Sequence, residues 1–303
     1  MNDKVQEILN EVGKVIRGKD EAIELVMTAM LAKGHILVED VPGVGKTTLA
    51  VAFSRAMELT ERRLQFTPDV LPSDVVGFNM IGADGEFQYK PGAILCNLLL
   101  ADEINRTSTK TQSALLEVME EGQVTVDGVT RQLPNPFIVV ATQNPVGSAG
   151  TQMLPESQLD RFMIKLSMGY PDPASEIAIL KDRQGANPLN DVKQVVDGKD
   201  IVMMQAETDN LHMDDAIIEY ITMLSFATRQ NPLIELGVSP RGSIALAGMS
   251  KAKAYISGRT YVTPEDVQSI FKDVAGHRII LNPRAKISSV TIDEVIDNIF
   301  RTV

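Results

Sequence analysis

At 303 residues the chain is long enough for two domains, each with its own core, and too long for a peptide or a disulfide-stapled miniprotein. Hydrophobic residues make up 44% and charged residues 23%, with mean hydropathy near zero, a balance that excludes a disordered or membrane-embedded chain. With 40 acidic against 29 basic side chains the net charge is −11, so a polyanion meets long-range repulsion and nucleic acid is a disfavoured partner.

Residues 1–7 lack the basic start and apolar stretch of a signal peptide, and the longest apolar runs, at 93–101 and 137–141, fall far short of the roughly 20 residues that cross a bilayer. A cytoplasmic protein without membrane insertion is expected. Val5, Ile8, Leu9 and Val12 recur at helical spacing, and a second helical pattern over 20–33 carries Ile23, Val26, Met27, Met30 and Leu31. Val15-Ile16-Arg17-Gly18 is a loop between them. Residues 35–39 predict a strand that ends at a Pro/Gly cluster and is followed by a helix through Leu49, Phe53 and Met57.

Short, non-alternating apolar runs at 98–101 and 137–141 predict strands buried on both faces of a parallel sheet, which makes the first part of the chain an α/β domain with helices on both faces. Turn chemistry at Gly82-Ala83-Asp84-Gly85 and Asp127-Gly128 predicts two hairpin insertions, over 79–89 and 123–132. Beyond Gly169-Tyr170-Pro171-Asp172-Pro173 the strand signals fade. Helices are predicted at 173–184, 214–229, 240–257, 264–276 and 292–301, several with proline at or near the start, where its missing N–H costs nothing. The expected division is a core over 1–185 and a small all-α lid over 186–303.

Three motifs carry chemistry. Pro42-Gly43-Val44-Gly45-Lys46-Thr47-Thr48 lies between a strand and a helix, where glycines free the backbone N–H groups to face a phosphate chain and the helix N-terminus stands behind them. Lys46 would reach the β- and γ-phosphates, and the Thr47 hydroxyl would ligate Mg²⁺. One departure from G-x-x-x-x-G-K-[ST] is Asp40, which stands where the first glycine belongs. The strand at 98–101 ends in Asp102-Glu103; adjacent side chains diverge at a strand end, so Asp102 can hold the Mg²⁺, partly through water, while Glu103 serves an attacking water as base or orienter. The strand at 137–141 runs into Thr142-Gln143-Asn144-Pro145, at the sheet edge where ligands bind, and Asn144 can either orient the water with Glu103 or cap the turn before Pro145.

The remaining chemistry-bearing residues read as structural. Cys96, the one cysteine, lies in an apolar stretch and is expected to be a buried thiol. His35, His212 and His277 lack partners at zinc spacing. Met203, Met204 and Met223 are expected to fill the core.

Taken in order, these motifs resemble the AAA+ ATPases and, within them, the MoxR family, in the branch that carries a helix-2 insert and a hairpin before sensor 1 and that is related to the magnesium-chelatase ATPase subunits. The resemblance runs through Val15-Ile16-Arg17-Gly18, Glu39-Asp40-Val41-Pro42-Gly43-Val44-Gly45-Lys46-Thr47 (Walker A) and Ala101-Asp102-Glu103-Ile104-Asn105-Arg106 (Walker B). It continues through Gln65-Phe66-Thr67-Pro68-Asp69 and Leu71-Pro72-Ser73-Asp74 (the insert), Ala141-Thr142-Gln143-Asn144-Pro145 (sensor 1), Leu154-Pro155-Glu156-Ser157-Gln158-Leu159-Asp160-Arg161-Phe162 (the arginine-finger segment) and Gly237-Val238-Ser239-Pro240-Arg241 (sensor 2). It makes Asp40 a family variant.

The resemblance implies a P-loop fold binding ATP or ADP with Mg²⁺, with Val15 and Ile16 near the adenine and Val41, Pro42, Gly43, Val44, Gly45, Lys46, Thr47 and Thr48 around the phosphates. Arg161 would act on a neighbour's nucleotide as an arginine finger, the alternative being an ion pair with Asp160 or Glu156. Arg241, an unfavourable cation at a helix start, would contact the γ-phosphate from the lid. Arg106 would lie near the subunit edge. The active unit would be a homo-oligomeric ring, usually a hexamer, that remodels, assembles or activates a protein client, often one with a von Willebrand factor A domain. Two other functions are weighed against this. A nucleic-acid motor would need basic or aromatic residues at the tip of the 123–132 hairpin, which offers Asp127-Gly128 and only Arg131 nearby. A nucleotide-gated scaffold with slow turnover is disfavoured by the presence of Glu103, Asn144, Arg161 and Arg241.

Overall fold

The computed structural model describes residues 2–83, 85–144, 153–185 and 187–303, so Asp84 of the first predicted turn, Pro145 after Asn144, and Ala186 at the expected boundary lie outside the described residues. Helices α1 (Asp3–Gly13) and α2 (Asp20–Leu31) precede strand β1 (Ile36–Glu39), helix α3 (Lys46–Ala56) and strand β2 (Glu61–Gln65). A short α4 (Pro72–Val76) leads into the ribbon of β3 (Phe78–Ile81) and β4 (Phe87–Lys90). Then follow β5 (Leu98–Asp102), α5 (Thr109–Glu121), the ribbon of β6 (Gln123–Val126) and β7 (Val129–Gln132), β8 (Ile138–Gln143), the single-turn α6 (Glu156–Leu159) and β9 (Ile164–Leu166). The rest is helical: α7 (Pro173–Asp182), α8 (Gly198–Asp209), α9 (Asp215–Gln230), α10 (Pro240–Ile256), α11 (Pro264–Ala275), α12 (Pro283–Ile287) and α13 (Ile292–Thr302), with one short ribbon of β10 (Ile234–Leu236) and β11 (Ile280–Leu281).

Five strands form one parallel sheet in the order β2-β5-β8-β1-β9. Its central strands are buried on both faces, as their unbroken apolar runs predict. Ile36, Val38, Leu98, Leu100, Ile138 and Val140 join a cluster with α1, α2, α3 and the lid helices, whereas Leu37, Leu99, Ala101, Val139 and Ala141 face α4 and α5. Both hairpins form. In the second, Asp127 and Gly128 both take positive φ, 49° and 77°, the backbone a two-residue turn needs to follow the strand twist.

Several elements escape the sequence pattern, and for three of them the physical reason is plain. β2 reads Glu61-Arg62-Arg63-Leu64-Gln65 because it is the outer strand of the sheet and remains partly exposed. β9 has only three residues. In α8 the buried residues Ile201, Met204, Gln205 and Thr208 include two polar side chains, which blurs the apolar period. One expectation is corrected: Met204 is buried, but Met203 and Met223 are exposed, because they lie off the buried stripes of α8 and α9.

Two buried polar side chains pin distant segments. His35 Nδ1 accepts from the Val139 amide at 3.0 Å and its Nε2 faces the Met119 carbonyl at 2.9 Å, so the ring is the neutral Nε2–H tautomer. Burial pushes its pKa down to about 4. Arg278, whose side chain is 2% exposed, donates to the Asp160 carboxylate at 2.7 Å and to the carbonyls of Asp160, Phe162, Met163 and Val274. Asp160 also accepts from Ser239 at 2.9 Å, so one carboxylate joins the end of α6 to the start of α10.

Between α2, β9, α10 and α11 lies a cleft of about 1170 Å³ that includes Asp273. Burial pushes the Asp273 carboxyl up to about 6, with Lys272 opposing and Glu21 adding to the rise. Its pKa is above the unfolded value, so the ionised form costs stability above pH 6, and the cost is relieved as pH falls toward 4. Asp273→Asn is therefore expected to raise unfolding free energy at pH 7.5 by about 1–3 kcal/mol and to lose that advantage near pH 4. Urea titrations at the two pH values check this; an equal gain at both would assign the effect to something other than the charge.

Candidate functional site

The carboxyl ends of β1, β8 and β5 lie side by side, and each is followed by one of the three sequence motifs. After β1 the chain turns through Gly43 and Gly45 at φ 89° and 98° before α3 begins at Lys46. A Cβ at Gly43 would meet nothing within 4 Å and one at Gly45 only Ile16 Cδ1 at 3.9 Å. The glycines are thus required by the backbone angle, and the space above the loop is open. Lys46 is buried, its ammonium donating to the carbonyls of Asp40 at 2.8 Å and Val41 at 3.3 Å. Burial lowers its pKa from the ordinary lysine value, while the charges of Asp40, Asp102 and Glu103 act to raise it. Pro42 is exposed in the loop, and Thr47 and Thr48 occupy the first turn of α3. A recess of about 180 Å³ brings Val15 and Ile16 together with Gly43, Val44, Gly45 and Thr48.

Asp40 has a structural task that a glycine could not perform. Its Oδ2 accepts from the amides of Met168 at 2.6 Å and Gly169 at 2.8 Å and from the Ser167 hydroxyl at 3.2 Å, and its Oδ1 accepts from the Val41 amide at 3.0 Å. One buried carboxylate therefore ties the root of the loop to the segment that follows β9.

Asp102 and Glu103 diverge as expected. Asp102 is the last residue of β5; it accepts from the Thr142 hydroxyl at 2.6 Å and pairs with Arg63 at 2.6 Å. Glu103 turns the chain at φ 56°, a left-handed angle uncommon outside glycine, and its amide donates to the same Thr142 hydroxyl at 2.9 Å. Its carboxylate accepts from Arg106 at 2.7 Å and from the Asn144 amide at 3.0 Å. The Arg106 guanidinium, and then Asn144, hold the Glu103 carboxyl below the usual carboxylate value against the opposing effect of burial. The Asn144 side chain is thus directed at Glu103, and the turn at Pro145 lies outside the described residues.

Arg161 and Arg241 lie elsewhere and lie together. Arg161 pairs with Glu120 at 2.5 Å rather than with Asp160 or Glu156, and Arg241 pairs with the other oxygen of the same carboxylate. Neither lines the recess over the loop. Glu120 and Arg278 are not singled out by the sequence, and Asp160, considered there as a partner of Arg161, pairs with Arg278 instead. Glu120 is one acid of a Glu-Glu pair ending a helix, and only a contact with residues 41 and 121 positions away distinguishes it.

Residues 35–164 match the family model described as the ATPase family associated with various cellular activities (AAA), and residues 226–299 match an AAA lid domain. The Bacillus subtilis uncharacterized protein YeaC is 47% identical over 97% of this chain and 92% of its own length. The Mycobacterium tuberculosis chaperone MoxR1 is 38% identical over 97% of this chain and 80% of its own. The chain belongs to the MoxR family of AAA ATPases. A crystal structure of a candidate ATPase from Cytophaga hutchinsonii shares the fold of this MoxR-family chain at a TM-score of 0.92 and 38% identity, covering 99% of this chain and 94% of that one.

Nucleotide and Mg²⁺ fit this MoxR-family site on its own chemistry. The loop leaves open space at Gly43, and Thr47 and Asp102 supply only oxygen donors, the hard set that suits Mg²⁺ once phosphate and water complete it. Among the described residues no three His, Cys, Asp or Glu side chains are grouped to hold a metal by themselves. No described helix is long and apolar enough to cross a membrane.

Asp40→Gly, which restores the first glycine of the general loop pattern, is expected to destabilise this protein. It orphans the Met168 and Gly169 amides, each worth about 1–3 kcal/mol when left unpaired and buried. Urea unfolding should show a loss of at least about 2 kcal/mol, with Asp40→Asn, which keeps one acceptor oxygen, losing less. A glycine variant as stable as the wild type would remove Asp40 from this role.

Proposed function

We propose that this MoxR-family protein binds and hydrolyses ATP, works in the cytoplasm as a homo-oligomeric ring of six subunits, and uses the cycle to remodel, assemble or activate a protein client. The core would span 1–185 and the lid 186–303. The observation that carries the proposal is the convergence of Lys46, Asp102, Glu103 and Asn144 at neighbouring strand ends, with Asn144 bonded to Glu103 at 3.0 Å.

In this reading Val15 and Ile16 receive the adenine, residues 41–48 receive the phosphates, and Lys46 leaves the loop carbonyls for the β- and γ-phosphates. Thr47 and Asp102, with water, would hold Mg²⁺, which would supply charge neutralisation at the phosphates. Glu103, ionised at neutral pH and steadied by Asn144, orients the attacking water; its lowered pKa makes it a weak proton acceptor, which suits phosphoryl transfer, where positioning and electrostatics supply most of the catalysis. Arg161 serves a neighbouring subunit's nucleotide as a finger, and Arg241, expected to reach a γ-phosphate from the lid, is assigned here to that same neighbouring nucleotide, supported by the two arginines' shared place on Glu120 away from the recess over their own loop. The name of the relative chaperone MoxR1 supports a protein client, and the resemblance supports one with a von Willebrand factor A domain.

The nucleic-acid reading gains nothing from the hairpins. Arg131 lies over the Tyr89 ring at 3.9 Å, and Asp127 at the tip accepts from Asn79 at 2.8 Å.

Two measurements test the proposal. Glu103→Gln is expected to retain nucleotide binding and assembly while phosphate release falls roughly 100-fold or more; unchanged release would remove Glu103 from the reaction. Arg161→Ala and Lys46→Ala are each expected to be strongly slowed alone and to recover part of the activity when mixed, because a mixed interface can unite an intact loop with an intact finger. A mixture as slow as its components would rule out action between subunits.

A further inference from the structure

Glu120, at the carboxyl end of α5, divides its carboxylate between two arginines that are 80 residues apart in the chain. Oε2 takes Nη1 of Arg161 at 2.5 Å, and Oε1 takes Nη2 of Arg241. The same Arg161 Nη1 donates to the Leu116 carbonyl at 3.0 Å, one turn earlier on α5. Two like-charged guanidiniums repel, and here the carboxylate between them lets them converge.

The backbones that carry both arginines are fixed separately. Asp160, next to Arg161, accepts from Ser239 at 3.1 and 2.9 Å, and Ser239 caps α10 two residues before Arg241. Arg278 completes this joint from the lid at 2.7 Å. The two arginines are therefore rooted in one rigid block, and what remains to be set is the direction of their heads. Those heads are 33% and 42% exposed, Glu120 is 37% exposed, and a cavity of about 180 Å³ opens where they meet, lined by Met119, Glu120, Arg161 and Arg241. Two cations and one anion leave the cluster with a net positive charge, which suits an anionic ligand. Pairs this exposed are weak, so the guanidiniums can exchange a carboxylate for a phosphate.

We propose that Glu120 is a positioning residue for a two-arginine polyphosphate site, holding Arg161 and Arg241 convergent so that a neighbouring subunit's nucleotide meets both guanidiniums at once. This rests on the reading that the two arginines act between subunits. Asp160 and Arg278 fix where the arginines are rooted, and Glu120 fixes where they point. Without the carboxylate the heads repel and splay, and the transition state meets one guanidinium at a time.

The test is steady-state ATP hydrolysis by the full-length assembled protein. Glu120→Gln is expected to lower kcat about tenfold while KM for ATP, set by the subunit's own loop, and the thermal midpoint change little. Glu120→Asp, which keeps the charge but withdraws it by one methylene, should fall between Gln and wild type. In the Arg161→Ala background, Glu120→Gln should add less than a twofold further loss, since there is no longer a pair to hold together. Wild-type or increased kcat in Glu120→Gln, or a full tenfold loss on top of Arg161→Ala, would overturn the proposal. If Arg161→Ala and Arg241→Ala are themselves silent, the intersubunit reading has failed and the proposal with it; if they are slow and Glu120→Gln is not, the proposal alone has failed.

Discussion

A parallel sheet buried on both faces has one place for chemistry, the edge where its strands end, and the arrangement of this protein follows from that constraint. β1, β8 and β5 are apolar through their length and carry polar groups only at their carboxyl ends, where the side chains of neighbouring strands come within hydrogen-bonding reach. Thr142 shows how little is needed to organise that edge. Its single hydroxyl donates to Asp102 and accepts from the Glu103 amide, so one residue of β8 fixes both acids of β5. The left-handed turn at Glu103 then sends consecutive carboxylates in different directions, one toward Arg63 and one toward Asn144.

The second organising element is a buried cation. Taking a guanidinium out of water is costly unless nearly all its donors are met, and Arg278 meets them with the Asp160 carboxylate and a set of main-chain carbonyls. Its neighbour His277 is held neutral, its pKa pushed down to about 3 by burial and by the adjacent positive charge, and its Nε2 faces the Phe162 carbonyl. Such a joint adds less to stability than to geometry. It gives the first helix of the lid lobe after β10 one defined seat on the core, beside a continuous apolar cluster that by itself would tolerate sliding.

Legibility in the sequence followed the range of the interactions. The phosphate loop is a local pattern, seven consecutive residues between a strand and a helix, and its geometry is where the spacing puts it. The central strands were legible because double burial leaves unbroken apolar runs, and the charged β2 was not, because an outer strand has a solvated side. Asp40 looked like a departure from a pattern and is a bracket whose partners, Ser167 to Gly169, are more than 120 residues away. Glu120 and Arg278 gave no signal, since an acid at a helix end and a basic residue after a helix are ordinary until the fold brings their partners to them. Met203 and Met223 illustrate the converse: an apolar residue type says little about burial unless its phase on the helix is known.

The sheet has two ends, and neither invites another strand. At one end β2 presents Glu61, Arg62 and Arg63, and at the other the three-residue β9 is packed beside α11. Charge on a lateral strand, or a helix laid over it, removes the template on which a second chain could continue the backbone ladder. Copies of this protein are thereby kept from fusing their sheets. In the ring proposed above, contacts between copies would then fall to side chains and loops, which can make and break while the backbone framework of each copy stays intact.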